Sequence, residues 1–262
     1  MLEHPTLDKL LALKLTGMSD ALKEQSQLSQ YQVLSFEERL GLLVDREVSV
    51  RQNRLLAQRM KKAGLRQEAC VEDIDFRHPR HLDRSVVLSL ASCAWIQNRR
   101  NCLITGPTGA GKTFLACALA QKACREGFTA RYARLSRLLG ELAIARLDGS
   151  YLERLRALSQ IDLLVLDDWG VTPLSDEGRR DLLEILDDRY DRKSTLVTSQ
   201  LPVDRWHESL ADPTLADAIL DRLVHNAHRL ELCGESMRRI KAEALARNVT
   251  VPGGDNSHVP EA

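Results

Sequence analysis

The sequence predicts an α/β fold, a parallel sheet flanked by helices, with a small all-α domain in front of it. Three observations carry that reading. From Ser85 onward, helical and strand-like stretches alternate in the order of a parallel sheet covered on both faces. A short apolar run, Asn101-Cys102-Leu103-Ile104, feeds into G-P-T-G-A-G-K-T at Gly106 to Thr113, and a helical run beginning Phe114-Leu115-Ala116 follows. Before Arg66 the periodicity is helical throughout.

Residues 1–66 read as the helical domain. Leu7, Leu10, Leu11 and Leu15 make one apolar stripe, and Leu40, Leu43, Val44 and Val48 make another. Ser35 with Glu38 is a capping box that opens a helix of about 30 residues ending near Gly64. Arg39, Arg46, Arg51, Arg54, Arg59, Lys61, Lys62 and Arg66 stand there against Asp45 and Glu47. Such a bias reads either as a solvated helix face or as a surface for nucleic acid or a partner; Arg51, Arg54, Arg59, Lys61 and Lys62 are the candidate DNA contacts. Residues 67–84, with Asp73, Asp75, Pro79 and two histidines, read as an irregular linker holding the domain boundary.

Residues 85–248 then supply the sheet domain. A helix from Val86 to Ile96 precedes the first strand. After the glycine-rich loop and its helix come a second strand (Thr129–Ala133), helical segments (Ser136–Leu158) and a third strand (Ile161–Leu166). A polar helix (Asp176–Tyr190) leads to a fourth strand (Thr195–Thr198). Helices at Val203–His207 and Leu215–Ala227, a short strand at Arg229–Leu232 and a last helix at Ser236–Arg247 complete it. Residues 249–262, with the stretch Val251-Pro-Gly-Gly-Asp-Asn-Ser, read as a disordered tail.

The 262 residues hold 37 basic and 37 acidic side chains, so whole-chain charge neither announces nor excludes nucleic acid. Six cysteines, at 70, 93, 102, 117, 124 and 233, form no C-x-x-C framework; Cys117 and Cys124, seven apart on the helix after the loop, read as small packing residues, and free thiols suit a reducing cytosol. No apolar run approaches the ~20 residues of a membrane span, and Glu3 and Asp8 interrupt any leader-like start, so a cytoplasmic protein without membrane contact is expected. His78 with His81 and His225 with His228 lack a third ligand nearby and read as ordinary histidines.

The chemistry starts at the loop. Gly106, Gly109 and Gly111, with Pro107, Thr108 and Ala110 between them, let consecutive backbone N–H groups turn inward on a β-phosphate. Lys112 reaches the β- and γ-phosphates, and the Thr113 hydroxyl is placed to ligate Mg²⁺. The helix that follows aims its positive end at the anion. The apolar strand ending in Asp167-Asp168 suits the same centre, with Asp167 serving the metal and Asp168 the attacking water.

A whole strand separates the loop helix from the acidic strand, which inserts the fourth strand between the first and third, as in the ASCE-type ATPase branch of the P-loop NTPases. Thr198 and Ser199 at its end either hydrogen-bond the attacking water or cap the next turn. Arg222 reads equally as an arginine finger or as one arm of a surface ion pair. Arg238, a cation at a helix start where cations are unfavourable, reads as aimed at phosphate. No N-K-x-D motif points to guanine, and no arginine-rich lid points to a small-molecule kinase.

Taken together, G-P-T-G-A-G-K-T, L-L-V-L-D-D-W-G, L-V-T-S-Q-L-P, D-R-L-V-H and G-E-S-M-R-R resemble the IstB-like transposition helper proteins, AAA+ ATPases akin to the helicase loader DnaC. F-E-E-R-L-G-L-L-V-D-R-E extends the resemblance into the helical domain. It implies an ATP- and Mg²⁺-dependent homo-oligomer that binds double-stranded DNA with little sequence preference and stimulates a partner transposase. By motif, Gly106 to Thr113 match Walker A, Asp167 and Asp168 Walker B, Ser199 the first sensor, Arg222 the arginine finger and Arg238 the second sensor. Asp168 stands where many AAA+ members have Glu. A DnaC-like helicase loader and a nucleotide-gated DNA scaffold with incidental turnover are the alternatives.

Overall fold

Ser35 and Glu38 open the longest helix as the capping box requires: the Ser35 N–H donates to Glu38 Oε2 at 2.8 Å, and the Glu38 N–H donates to Ser35 Oγ at 3.2 Å. The computed structural model describes residues 5–240 and divides into two compact units, one reaching Lys62 and one starting at Ala63.

The first unit comprises α1 (Pro5–Ala12), α2 (Thr16–Gln27) and most of α3 (Phe36–Ala63). α2 approaches α3 so closely that a Cβ on Gly17 would stand 2.8 Å from Glu47 Cα, a distance no side chain tolerates. Glu47 is buried there and accepts the Met18 N–H at 3.2 Å, in the first turn of α2, where a carboxylate is favourable. Its hydrogen bond from Arg51, against the opposing pull of burial, holds the carboxyl below the usual range. Packing through Gly17 and Glu47 turns the expected inner stripe outward: Leu40, Val44 and Val48 are exposed. Among the described residues of this unit, Ala21 is the only buried apolar side chain.

The second unit is built on five parallel strands: β1 (Asn101–Thr105), β2 (Ala130–Arg134), β3 (Leu163–Trp169), β4 (Ser194–Ser199) and β5 (Ala227–Glu231). Their spatial order is β2-β3-β4-β1-β5, with β4 between β3 and β1 as expected. Every residue of β1 and β4 is buried, because helices cover both faces of the central strands, and only apolar or internally bonded residues fit there. The helices of this unit are α4 (Arg84–Ala91), α5 (Ala94–Gln97), α6 (Lys112–Arg125), α7 (Leu135–Leu147), α8 (Tyr151–Gln160), α9 (Asp176–Arg189), α10 (Trp206–Leu210) and α11 (Pro213–Val224). A stacked Trp169–Trp206 pair, ring centroids 4.8 Å apart, closes the core beside the end of β3.

Three expectations need correction. The helix read as Val86–Ile96 is split into α4 and α5 at Cys93, whose φ of 60° no α-helix tolerates. β3 runs past Leu166 to Trp169 through a bulge: Leu166 faces Val197 and Trp169 faces Ser199, so Asp167 and Asp168 together span one step of β4. Residues 67–84 are not a free linker, for Ala69, Val71, Ile74 and Arg80 are buried within the second unit. A helical turn covers 237–240; the remainder of the expected last helix and the expected tail lie outside the described residues.

Candidate nucleotide-binding site

At the C-terminal ends of β1, β3 and β4 lies a cavity of about 540 Å³. The phosphate loop forms its floor. Gly106, at φ 140°, packs so tightly that a Cβ would stand 2.2 Å from the Leu232 carbonyl oxygen, and Gly109, at φ 85°, is crowded in the same way by Ser236. The chain after β5 therefore braces the loop, and it is bonded there: Leu232 N–H donates to Thr105 O at 2.8 Å and Met237 N–H to Gly109 O at 2.9 Å. Pro107 and Ala110 close the turn between these glycines through an Ala110 N–H bond to Pro107 O at 3.3 Å.

Lys112 is buried and folds back on the loop, its Nζ donating to Gly106 O at 2.7 Å and Pro107 O at 2.8 Å. Burial pulls its ammonium below the ordinary pKa; Asp167 and Asp168 oppose the shift, and Arg238 adds to it. A cation held, among the described residues, by two carbonyls in a cavity is ready to exchange them for phosphate oxygens. Thr108 lines the same cavity, and its hydroxyl donates to Gln200 Oε1 at 2.8 Å.

Asp167 is the hub. Thr113 Oγ1 lies 3.1 Å from both of its carboxylate oxygens, and the Tyr132 and Thr198 hydroxyls also donate to it. Burial and the Asp167 hydrogen bond push the Tyr132 hydroxyl well above its ordinary pKa, so Tyr132 remains a donor. A hydroxyl and a carboxylate in contact are hard oxygen donors of the kind Mg²⁺ takes together with substrate phosphates and water. Among the described residues no cluster of three or more His, Cys, Asp or Glu is placed to hold a metal by itself.

Asp168 departs from simple alternation. It adopts φ 62° at the bulge, a conformation unusual for a side chain, which turns its carboxylate to Arg134 at 3.4 Å and Arg66 at 3.7 Å. Arg66 also reaches Asp167 at 3.4 Å. Burial lowers the Arg66 pKa, but its Tyr132 hydrogen bond and the Asp167 and Asp168 charges outweigh that and raise it.

Other expectations divide. Ser199 lines the cavity, but its hydroxyl is engaged: it donates to Trp169 O at 2.9 Å and accepts the Leu201 N–H at 3.0 Å, so it caps the turn while its neighbour Thr198 meets Asp167. Arg238 lines the cavity. Arg222 does not; it pairs with Asp187 and donates to Ala218 O at 2.7 Å, while its own carbonyl accepts from Asn101 at the start of β1, the end opposite the loop. In the first unit, Arg51 is held by Glu47 at 2.7 Å, whereas Arg54, Lys61 and Lys62 are exposed on α3 and Arg59 is half-buried. Sequence reasoning missed Tyr132 and Arg134. Their signal was alternation: two polar residues at the end of β2, on one face, with Arg134 in register with Asp167.

The family model described as IstB-like ATP binding protein matches residues 8–245. A Sinorhizobium fredii chain, named as an insertion sequence ATP-binding protein, is 53% identical over 239 residues, spanning 91% of this chain and 98% of its own length. Among solved structures, DnaI superposes with a TM-score of 0.55 at 21% identity, covering 63% of this chain and 91% of DnaI. The DnaC helicase loader gives 0.51 at 21% identity, covering 63% and 96%. Both likenesses concern the fold alone, a parallel sheet flanked by helices.

Proposed function

The chain belongs to the IstB-like ATP binding protein family, and from that premise we propose that it is a DNA-binding ATPase serving insertion-sequence transposition. With ATP and Mg²⁺ it assembles as a cytoplasmic homo-oligomer on double-stranded DNA and stimulates a partner transposase. The observation that carries the nucleotide half of this reading is the contact of the Thr113 hydroxyl with the Asp167 carboxylate beside the phosphate loop. The name of the Sinorhizobium relative supports the transposition half.

Bound Mg²⁺ supplies neutralisation of charge on the β- and γ-phosphates. Thr113 and Asp167 are the residues that hold it, with the Tyr132 and Thr198 hydroxyls fixing the Asp167 carboxylate. Lys112 releases the Gly106 and Pro107 carbonyls and grips phosphate oxygens. Asp168 orients the attacking water once its carboxylate is freed from Arg134 and Arg66. Arg238 meets the phosphates from the chain after β5, and Arg222 leaves Asp187 to serve the site of a neighbouring subunit. The pairing of Asp168 with two arginines favours a second reading, in which nucleotide gates assembly on DNA and turnover is incidental.

Light scattering with and without ATP, its non-hydrolysable analogue and duplex DNA separates these. ATP-dependent assembly on DNA followed by release on hydrolysis supports the ATPase reading; equal, persistent assembly with ATP and the analogue supports the scaffold. Stimulation of a replicative helicase instead of a transposase would replace the partner. The DNA contact is tested on α3, whose exposed Arg54, Lys61 and Lys62 have no aromatic neighbour to read bases. Replacing the three by Ala should weaken duplex binding uniformly across sequences and lower the salt slope by about one per lost phosphate contact. Unchanged affinity and slope, with stimulation of the transposase lost, would reassign this helix to protein docking.

A further inference from the structure

Arg80 lies before α4, outside the phosphate loop and the acidic strand, yet it lines the nucleotide cavity with only 6% of its surface exposed. Its Nη1 donates to Ala110 O at 3.1 Å and its Nη2 to Asp75 O at 2.7 Å, while Nε is buried without an acceptor. Burial pulls the guanidinium below its ordinary pKa and the Asp75 charge offsets part of this. The Asp75 carboxylate itself is spent on Arg77 at 3.4 Å and His78 at 3.5 Å. Arg80 is thus a buried cation held by carbonyls and bonded to no carboxylate among the described residues.

Its position against the loop is specific. A Cβ on Gly111 would stand 2.6 Å from Arg80 Nη1, so the guanidinium packs directly on the loop backbone. The peptide between Ala110 and Gly111 is trans, and in a trans peptide the C=O and the following N–H point in opposite directions. Grasping the Ala110 carbonyl therefore aims the Gly111 N–H away from Arg80, and none of the described backbone hydrogen bonds uses that N–H. A charge-assisted bond to the carbonyl also polarises the amide and strengthens its N–H as a donor. The Arg80 carbonyl accepts the Cys233 N–H at 3.1 Å, which ties the same residue to the segment that braces the loop from the other side.

We propose that Arg80 is a positioning residue for the nucleotide phosphates: it locks the Ala110–Gly111 peptide with the Gly111 N–H facing the anion, and bound phosphate compensates its buried charge. The inference rests on the cavity being the ATP site and names a residue that no loop motif includes.

The test uses the full chain with Arg80→Met and Arg80→Lys, measuring ADP and AMP affinities by calorimetry and the melting temperature with and without ADP. Arg80→Met should melt close to wild type without nucleotide, since loss of the buried, under-bonded charge offsets the two carbonyls left unpaired, Ala110 O and Asp75 O. It should bind ADP roughly 10- to 100-fold more weakly, the span of one or two hydrogen bonds to a charged group. AMP, which lacks the β-phosphate, should lose less, so the ADP-to-AMP preference falls. Arg80→Lys, keeping the charge but not the fork, should lie between.

A wild-type ADP-to-AMP preference in Arg80→Met overturns the proposal, whether both affinities hold or both fall equally with a lowered melting temperature. If Arg80→Met does not fold, the same unchanged preference in Arg80→Lys overturns it. Wild type and Lys112→Ala are the references. ADP binding that Lys112→Ala abolishes and the Arg80 variants leave alone defeats the Arg80 inference alone; a wild type that binds no ADP defeats the site reading with it.

Discussion

Two arginines are buried at opposite ends of the same parallel sheet, and the structure treats them differently. Arg189, at the end of α9, is 1% exposed and lies below the N-terminal ends of β3 and β4. It donates to the carbonyls of Leu158 at 2.6 Å, Ile161 at 2.8 Å and Ser194, and to the Thr195 hydroxyl at 3.2 Å. Burial pushes its pKa down to about 10, yet every nitrogen has an acceptor. Arg80, above the C-terminal ends, lines the cavity and has two acceptors, while its buried Nε has none. Burial alone does not separate architecture from function. Completeness of bonding does, because a buried cation fully wrapped in oxygens is satisfied by the fold alone, whereas one left short of an acceptor beside a cavity gains from an anion bound there.

The sharpest attempt to break this contrast exchanges the readouts at the two ends. Lys112→Ala removes a cation that braces only two loop carbonyls, so its unfolding midpoint should stay near wild type while ATP affinity falls by about 10³-fold, the scale of a lost buried charge partner. Calorimetric titration with ATP beside denaturant unfolding measures both. A large stability loss with ATP affinity preserved would make the loop end architectural too.

Arg189→Met should do the reverse. It strands three carbonyls and a hydroxyl at the base of β3 and β4, at an expected cost of about 3–5 kcal/mol in unfolding free energy. ADP affinity of the folded fraction should remain within about twofold, because the strand ends that carry the loop are at the other side of the sheet. Should ADP binding collapse while urea unfolding is unchanged, bonding completeness would no longer tell the two arginines apart.

How much of this was legible beforehand follows from locality. The loop, its strand and helix, the capping box at Ser35 and Glu38, and the insertion of β4 between β1 and β3 all follow from residues adjacent in sequence or from the order of elements. The set around Asp167 does not, because Arg66, Tyr132 and Thr198 arrive from three different elements with no shared spacing. The burial of Ala69, Val71 and Ile74 was hidden because they are too irregularly spaced to read as a helix or strand. The break at Cys93 was hidden as well, since nothing in the residue type demands φ 60°.

The smallest effect tests the finest of these differences, one residue of phase at the end of β4. Family motif matching assigns the polar contact to Ser199, but the bulge at Asp168 makes two residues of β3 span one of β4, and Thr198 is the residue brought to Asp167. Thr198→Val keeps the shape and deletes the hydroxyl, leaving Asp167 less firmly held; ATP turnover should fall by about tenfold, the worth of one hydrogen bond to a charged group, with little change in stability. Ser199→Ala removes the cap on Trp169 O and Leu201 N, so it should cost about 1–2 kcal/mol of stability while turnover per folded molecule stays within about twofold. Steady-state ATPase assays beside thermal unfolding distinguish the two. If instead Ser199→Ala abolishes turnover and Thr198→Val is silent, the hydroxyl that matters is Ser199, rotated toward the cavity during the reaction. Bonding completeness would then no longer mark Ser199, as it marks Arg189, as architectural.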